Sequence, residues 1–209
     1  AVTNPKLSFE IQREAAKRLG NSYALEETVL GYLKDKKIPA KHIPSVVESF
    51  SRAWRKSIRM EANSYLGQSL PKTNHPAIAD MVKMTGNAAK GIETFVNLCA
   101  MCHQVNEKGT DFGPKLSEIG SKLSKEGMYL SILHPNAGIG FGFEGFDIQM
   151  KNGDAFQGLI LSKNETDIVL KLPGGTQQRI KTSGIKSMKM MEESMMPAGL
   201  ADGIKTQEL

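Results

Sequence analysis

Apolar and polar positions alternate with a helical period in the first two thirds of the chain and with a period of two near its end. Ile11, Ala15 and Leu19 stand at i, i+4 and i+8, and Ile58, Ala62 and Leu66 repeat that spacing 47 residues further on. Both sets sit in the pattern I-x-x-E-A-x-x-x-L-G, so each predicts an amphipathic helix closed by glycine (Gly20, Gly67) at its C-cap. Leu25 to Leu33 and Ile43 to Trp54 predict two helices between these copies, with Pro39 and Pro44 marking the break. Leu70-Pro71-Lys72-Thr73-Asn74-His75-Pro76 interrupts the period, which makes 1–70 a helical unit and 71–86 a linker that includes His75.

A further helix is expected from Asn87 through Gly91, Phe95 and Leu98, and another over Leu123 to Leu133, broken by His134-Pro135-Asn136. The period then changes. Phe146 to Met150, Phe156 to Leu161, Ile168 to Leu172, Gln177 to Ile180 and Ile185 to Met188 read as short strands. Lys151-Asn152-Gly153-Asp154, Asn164-Glu165, Pro173-Gly174-Gly175 and Ser183-Gly184 supply the turns. The expected fold class is therefore multi-domain and mainly α, with a small antiparallel β insertion over 144–190.

Length and composition narrow the class. The chain has 209 residues, enough for two small domains, and 40% of them are apolar, an ordinary value for a globular protein. No apolar run reaches the length that crosses a membrane. The first residue is Ala1, which is expected of a processed mature form or of a piece of a longer chain.

Chemistry concentrates in Cys99-Ala100-Met101-Cys102-His103. The pattern C-x-x-C-H is a c-type haem attachment site: two thiols add across the haem vinyl groups and the adjoining histidine gives a nitrogen to iron. In a continued helix the two thiols and the imidazole share one face, because they stand at i, i+3 and i+4. A thioredoxin-like redox pair would follow a strand, whereas Asn87 to Leu98 reads as helix. A zinc site needs four ligands, and His42, His75 and His134 are scattered, with no second cysteine pair. One covalent haem c consumes both cysteines, so no disulfide is expected and the core must hold the fold.

Haem c is attached outside the bacterial cytoplasm, which implies a periplasmic or exported protein. The formal charge of +5 falls to about +3 once two haem propionates ionise, a balance suited to steering toward an acidic redox partner.

Family resemblance adds detail. Gly91 and Phe95 resemble the first helix of class I cytochromes c, where glycine permits close crossing with a C-terminal helix. Gly113-Pro114-Lys115-Leu116 resembles the run whose proline carbonyl accepts a hydrogen bond from the axial histidine, here His103. In Ser194-Met195-Met196-Pro197-Ala198-Gly199-Leu200, a methionine before proline resembles the distal ligand; Met196 fits it, with Met195 as runner-up and His134 as a lesser candidate.

The order of these motifs, with the strands between them and Thr206-Gln207-Glu208-Leu209 after them, resembles the CxxCH haem-binding domain of the Pirellula and Verrucomicrobium type. The resemblance covers roughly 87–209: an attachment part over 87–143, the insertion over 144–190, and a distal loop with the start of a C-terminal helix over 191–209. The 47-residue period resembles HEAT and armadillo repeats, which commonly precede that domain.

The resemblance implies periplasmic electron transfer by one haem ligated by His103 and Met196. Two other classes stay in view. One is an enzyme: the electron-accepting haem subunit or fragment of a larger periplasmic dehydrogenase, or a haem peroxidase or ligand sensor with an open distal site. The other is a binding module, since the β insertion resembles SH3-like or Sm-like barrels. Nucleic acid is not expected, because Lys171, Arg179 and Lys181 lack interleaved aromatics.

Overall fold

The computed structural model describes residues 1–50, 53, 55, 58, 61–62, 65–66, 70–140 and 142–209. They form two compact units, Ala1–Lys72 and Thr73–Leu209.

In the first unit, α1 (Phe9–Leu19) starts at Ser8, whose Oγ accepts from the Ile11 amide at 3.4 Å, and carries Glu10 in its first turn and Lys17 and Arg18 in its last. These charges complement the helix dipole. The buried face of α1 is not the expected stripe: Gln12, Arg13 and Ala16 are buried, and Ile11 is 51% exposed. Polar groups occupy that face because they are satisfied there. The Gln12 amide nitrogen donates to the Asn4 and Leu7 carbonyls, both at 2.9 Å, and its oxygen meets Nε2 of the fully buried His42 at 2.8 Å.

Gly20 does cap α1, but at φ −84, which any residue adopts. Glycine is required there for space, since a Cβ would run into Ser49 Oγ and the Phe50 ring, and Ser49 Oγ accepts from the Gly20 amide at 2.7 Å.

Helix α2 (Glu26–Lys34) buries Val29, Leu30 and Leu33, and α3 (Ile43–Ser49) buries Val46 and Val47, with Pro44 inside its first turn rather than in the break before it. Trp54 and Gly67 lie outside the described residues. Residues 58, 61–62 and 65–66 are helical, and Ile58, Ala62 and Leu66 are 4%, 0% and 7% exposed. The two sequence copies are thus unequal, the second turning its stripe inward.

The second unit begins within the expected linker. His75 Nε2 donates to the Ala201 carbonyl at 2.9 Å, and its Nδ1 lies 3.1 Å from Thr206 Oγ1. Helix α4 (Ile78–Met81) places the fully buried Met81 in a core with Leu133 and Ala201. Met81 is fully buried and the partly buried Ile78 packs against the same cluster, so part of the expected 71–86 linker carries packed side chains.

Next come α5 (Ala88–Thr94), the two-residue strands β1 (Gln104–Val105) and β2 (Lys108–Gly109), α6 (Ile119–Lys122) and α7 (Lys125–Leu133). The five later strands are β3 (Gly145–Met150), β4 (Ala155–Lys163), β5 (Asp167–Lys171), β6 (Gln177–Lys181) and β7 (Ile185–Met190). They pair antiparallel in the order β6-β5-β4-β3-β7, so the last strand returns beside the first. Ile148, Leu170 and Ile180 fill the sheet's core, 0%, 0% and 2% exposed.

Helix and strand are mixed, which corrects the expectation of a mainly α chain. The helices described in the second unit are short, from four to nine residues, while the sheet is continuous. The end of the chain forms two 3-10 turns, Leu200–Gly203 and Thr206–Glu208, and the Gln207 side chain donates to the Thr85 carbonyl at 3.0 Å.

Candidate functional site

Asn87 opens α5 by accepting from the Lys90 amide at 3.2 Å, and the helix then widens into a π turn over Phe95–Cys99. The Ala100 amide reaches back to the Phe95 carbonyl at 2.8 Å. Widening of this kind accommodates an extra residue per turn and recurs at functional sites. Beyond it, the Cys102 and His103 amides both donate to the Cys99 carbonyl, at 3.0 and 2.9 Å. The motif is therefore one hydrogen-bonded turn that carries Cys99, Cys102 and His103.

The chain next wraps back over this turn. Asn106 and Glu107, at φ 48 and 63, make the tight β1–β2 reversal, which sequence reasoning missed because neither residue is glycine. Gly109, at φ 102, is required there because a Cβ would collide with the His103 carbonyl oxygen. The Thr110 amide donates to Ala100 O at 2.8 Å, and the amides of Phe112 and Gly113 donate to Cys102 O at 3.2 and 2.7 Å. These bonds strap the 110–113 loop to the attachment turn.

The strap ends on the histidine. His103 Nδ1 lies 2.7 Å from the Pro114 carbonyl oxygen, which can only accept, so Nδ1 carries the proton and Nε2 keeps its lone pair for a metal. A Cβ on Gly113 would stand 2.7 Å from His103 Cε1, so glycine at this position makes room for the ring. Cys99 and Cys102 are half-buried free thiols. Burial pushes both pKa values up, and the neighbouring Cys102 adds to the rise at Cys99. Around them α5 and the π turn bury no residue at all, Ile92 and Val96 being 63% and 59% exposed, and Met101 within the motif is 67% exposed. Among the described residues no three His, Cys, Asp or Glu side chains are grouped to hold a metal ion.

Residues 88–171 match the family model for cytochrome c. The match covers less than half of the chain and supports a cytochrome c haem domain over those residues. Its cofactor is haem c, held covalently and carrying iron. No curated protein matches the chain.

The donor set of the cytochrome c domain fits that cofactor: two thiols on one turn, an imidazole whose tautomer is fixed, and a glycine cradle beside the ring. The other expected residues lie apart from this turn in sequence. Met196 is half-buried, and its amide donates to Ser194 Oγ at 3.1 Å, while the Ser194 amide donates to Asn136 Oδ1 at 2.7 Å. Met195 and Met191 turn their sulfurs to Gly145, where a Cβ would lie 2.9 Å from either. His134 ends α7, and burial lowers its pKa. A Cβ on Gly91 would meet nothing within 4 Å, so no close helix crossing at that glycine is formed by the described residues.

Sequence reasoning did not single out Asp111 or the part Lys171 plays beside it. Lys171, 11% exposed along its side chain, places Nζ 2.9 Å from Asp111 Oδ1. The two are 60 residues apart, and no local signal pairs them.

Proposed function

We propose that the second unit is a one-haem electron-transfer module, periplasmic or exported, with His103 and Met196 as axial ligands. Haem c, when bound, supplies an iron that gains and loses one electron. The observation that carries the reading is the His103–Pro114 hydrogen bond on the C-x-x-C-H turn. It fixes the ring, leaves Nε2 with a lone pair that can bind a metal, and makes the imidazole a stronger donor. Met196 is preferred over Met195 because the Met195 sulfur is already packed at Gly145. The segment leading into Met196 is held twice, by the Met191 amide on Gly145 O at 2.8 Å and by the Ser194 amide on Asn136.

A His/Met pair holds the potential above that of a bis-histidine site and leaves no open position, which suits outer-sphere transfer to a redox partner protein such as a dehydrogenase or an acidic acceptor. The strand order, with a 3-10 turn (Thr182–Gly184) between β6 and β7, supports reading the insertion as an SH3-like or Sm-like barrel. The helices of the first unit support a HEAT-like reading, and no helix among the described residues is long and apolar enough to cross a membrane.

The test is an absorption spectrum. Oxidised protein is expected to show the weak long-wavelength methionine-to-iron band, which Met196→Ala abolishes and Met195→Ala retains. Intact mass after acid denaturation should exceed the polypeptide by one haem. A five-coordinate high-spin spectrum of the unaltered protein would overturn the distal methionine.

A further inference from the structure

The β insertion meets the attachment loop through two independent contacts. The first is the ion pair between Lys171, the last residue of β5, and Asp111. The lysine is buried while Asp111 is 51% exposed along its side chain, so the insertion supplies the desolvated half of the pair. Gly158 on β4 makes room for this strand end, since a Cβ there would collide with the Lys171 carbonyl oxygen. The second contact is Gly175, in the turn between β5 and β6: a Cβ there would lie 3.0 Å from Thr110 Cγ2 and 3.3 Å from the Asp111 carbonyl oxygen. The turn therefore rests on the backbone that is strapped to Ala100 and Cys102 and that leads, three residues on, to Pro114.

We propose that Asp111 and Lys171 are positioning residues for His103: the pair presses the 110–114 loop onto the attachment turn and so sets the strength of the His103–Pro114 hydrogen bond. They act through the loop backbone, and the inference rests on His103 being the axial ligand.

The direction of the effect separates positioning from simple charge. A weaker bond at Nδ1 makes the imidazole a poorer donor, which disfavours ferric iron and moves the potential positive. Loss of the lysine charge alone would act the other way, because a more negative surrounding favours the ferric state. Lys171→Met is the informative variant: it retains the aliphatic stem and removes the ion pair. Asp111→Asn is its partner, at an exposed position that tolerates the change.

Midpoint potentials of the haem-loaded proteins would be measured, together with the His103 Nδ1–H resonance of the ferrous state. The expected result is a positive shift for both Lys171→Met and Asp111→Asn, faster exchange of that proton in both, and values near the unaltered protein for Lys171→Arg. A negative shift for Lys171→Met, or an Nδ1 proton that exchanges as slowly in Asp111→Asn as in the unaltered protein, would overturn the proposal. The proton readout applies to Asp111→Asn alone should Lys171→Met not fold. The spectrum of the unaltered protein reports separately whether His103 is ligated, so failure of the pair and failure of the ligand assignment are distinguishable.

Discussion

Gly113 leaves room for an imidazole and for little else. With a Cβ only 2.7 Å from His103 Cε1, Gly113→Ala forces the ring or the loop to move. Overpacking of this kind is expected to lower stability by about 1–3 kcal/mol, read from denaturant unfolding, and to move the midpoint potential positive as the Pro114 bond lengthens. An unchanged potential would show that the ring holds its place by other contacts. The residues of this turn were legible in sequence because they are close neighbours: Cys99 to Pro114 form their bonds within one short stretch. Lys171 and Asp111, or His75 and Ala201, were not, because common polar residues far apart carry no mutual signal. Gln12 and His42 were hidden differently. Hydropathy assigns polar side chains to solvent and takes no account of an amide that finds three partners inside.

At the scale of elements, the strands were the most readable part, since alternation and turn glycines agree at each of them. All five lie close to the expected segments, and the turn at Gly174 and Gly175, with φ 89 and 83, shows why glycine stood there. The β1–β2 hairpin escaped notice because two-residue strands have no period to read. Helical stripes were readable only in half. Ile11 and Ile58 occupy the same place in the repeated pattern, yet one is 51% exposed and the other 4%. Ile58→Ala is therefore expected to cost about 2–5 kcal/mol, and Ile11→Ala within about 0.5 kcal/mol of nothing, both from urea unfolding. Equal losses would mean that the copies are equivalent after all.

For the molecule as a whole, the boundary between the units falls at Lys72 and Thr73, and Lys72 is exposed. Brief trypsin treatment of the haem-loaded protein is expected to cleave after Lys72 and to leave the haem on the fragment that starts at Thr73, as read by mass. Haem on a fragment starting near residue 87 would instead mark 73–86 as a linker. Proline and polar residues marked the neighbourhood of this boundary in sequence. They could not mark its far side, because Met81 and His75 are held by partners more than 50 residues away, Leu133 and Ala201.

The reach of His75 also orders events in time. The His103 amide closes the attachment turn across four residues, whereas His75 closes loops of 126 and 131 residues to Ala201 and Thr206. Closure entropy grows with the logarithm of loop length, and contacts of such separation form late. A chain folding after export would thus offer both thiols in a formed turn well before the segment following Met196 is docked. Covalent capture can precede the final closure, and a delay in that closure would leave a protein that carries its cofactor but has not yet acquired its mature spectrum.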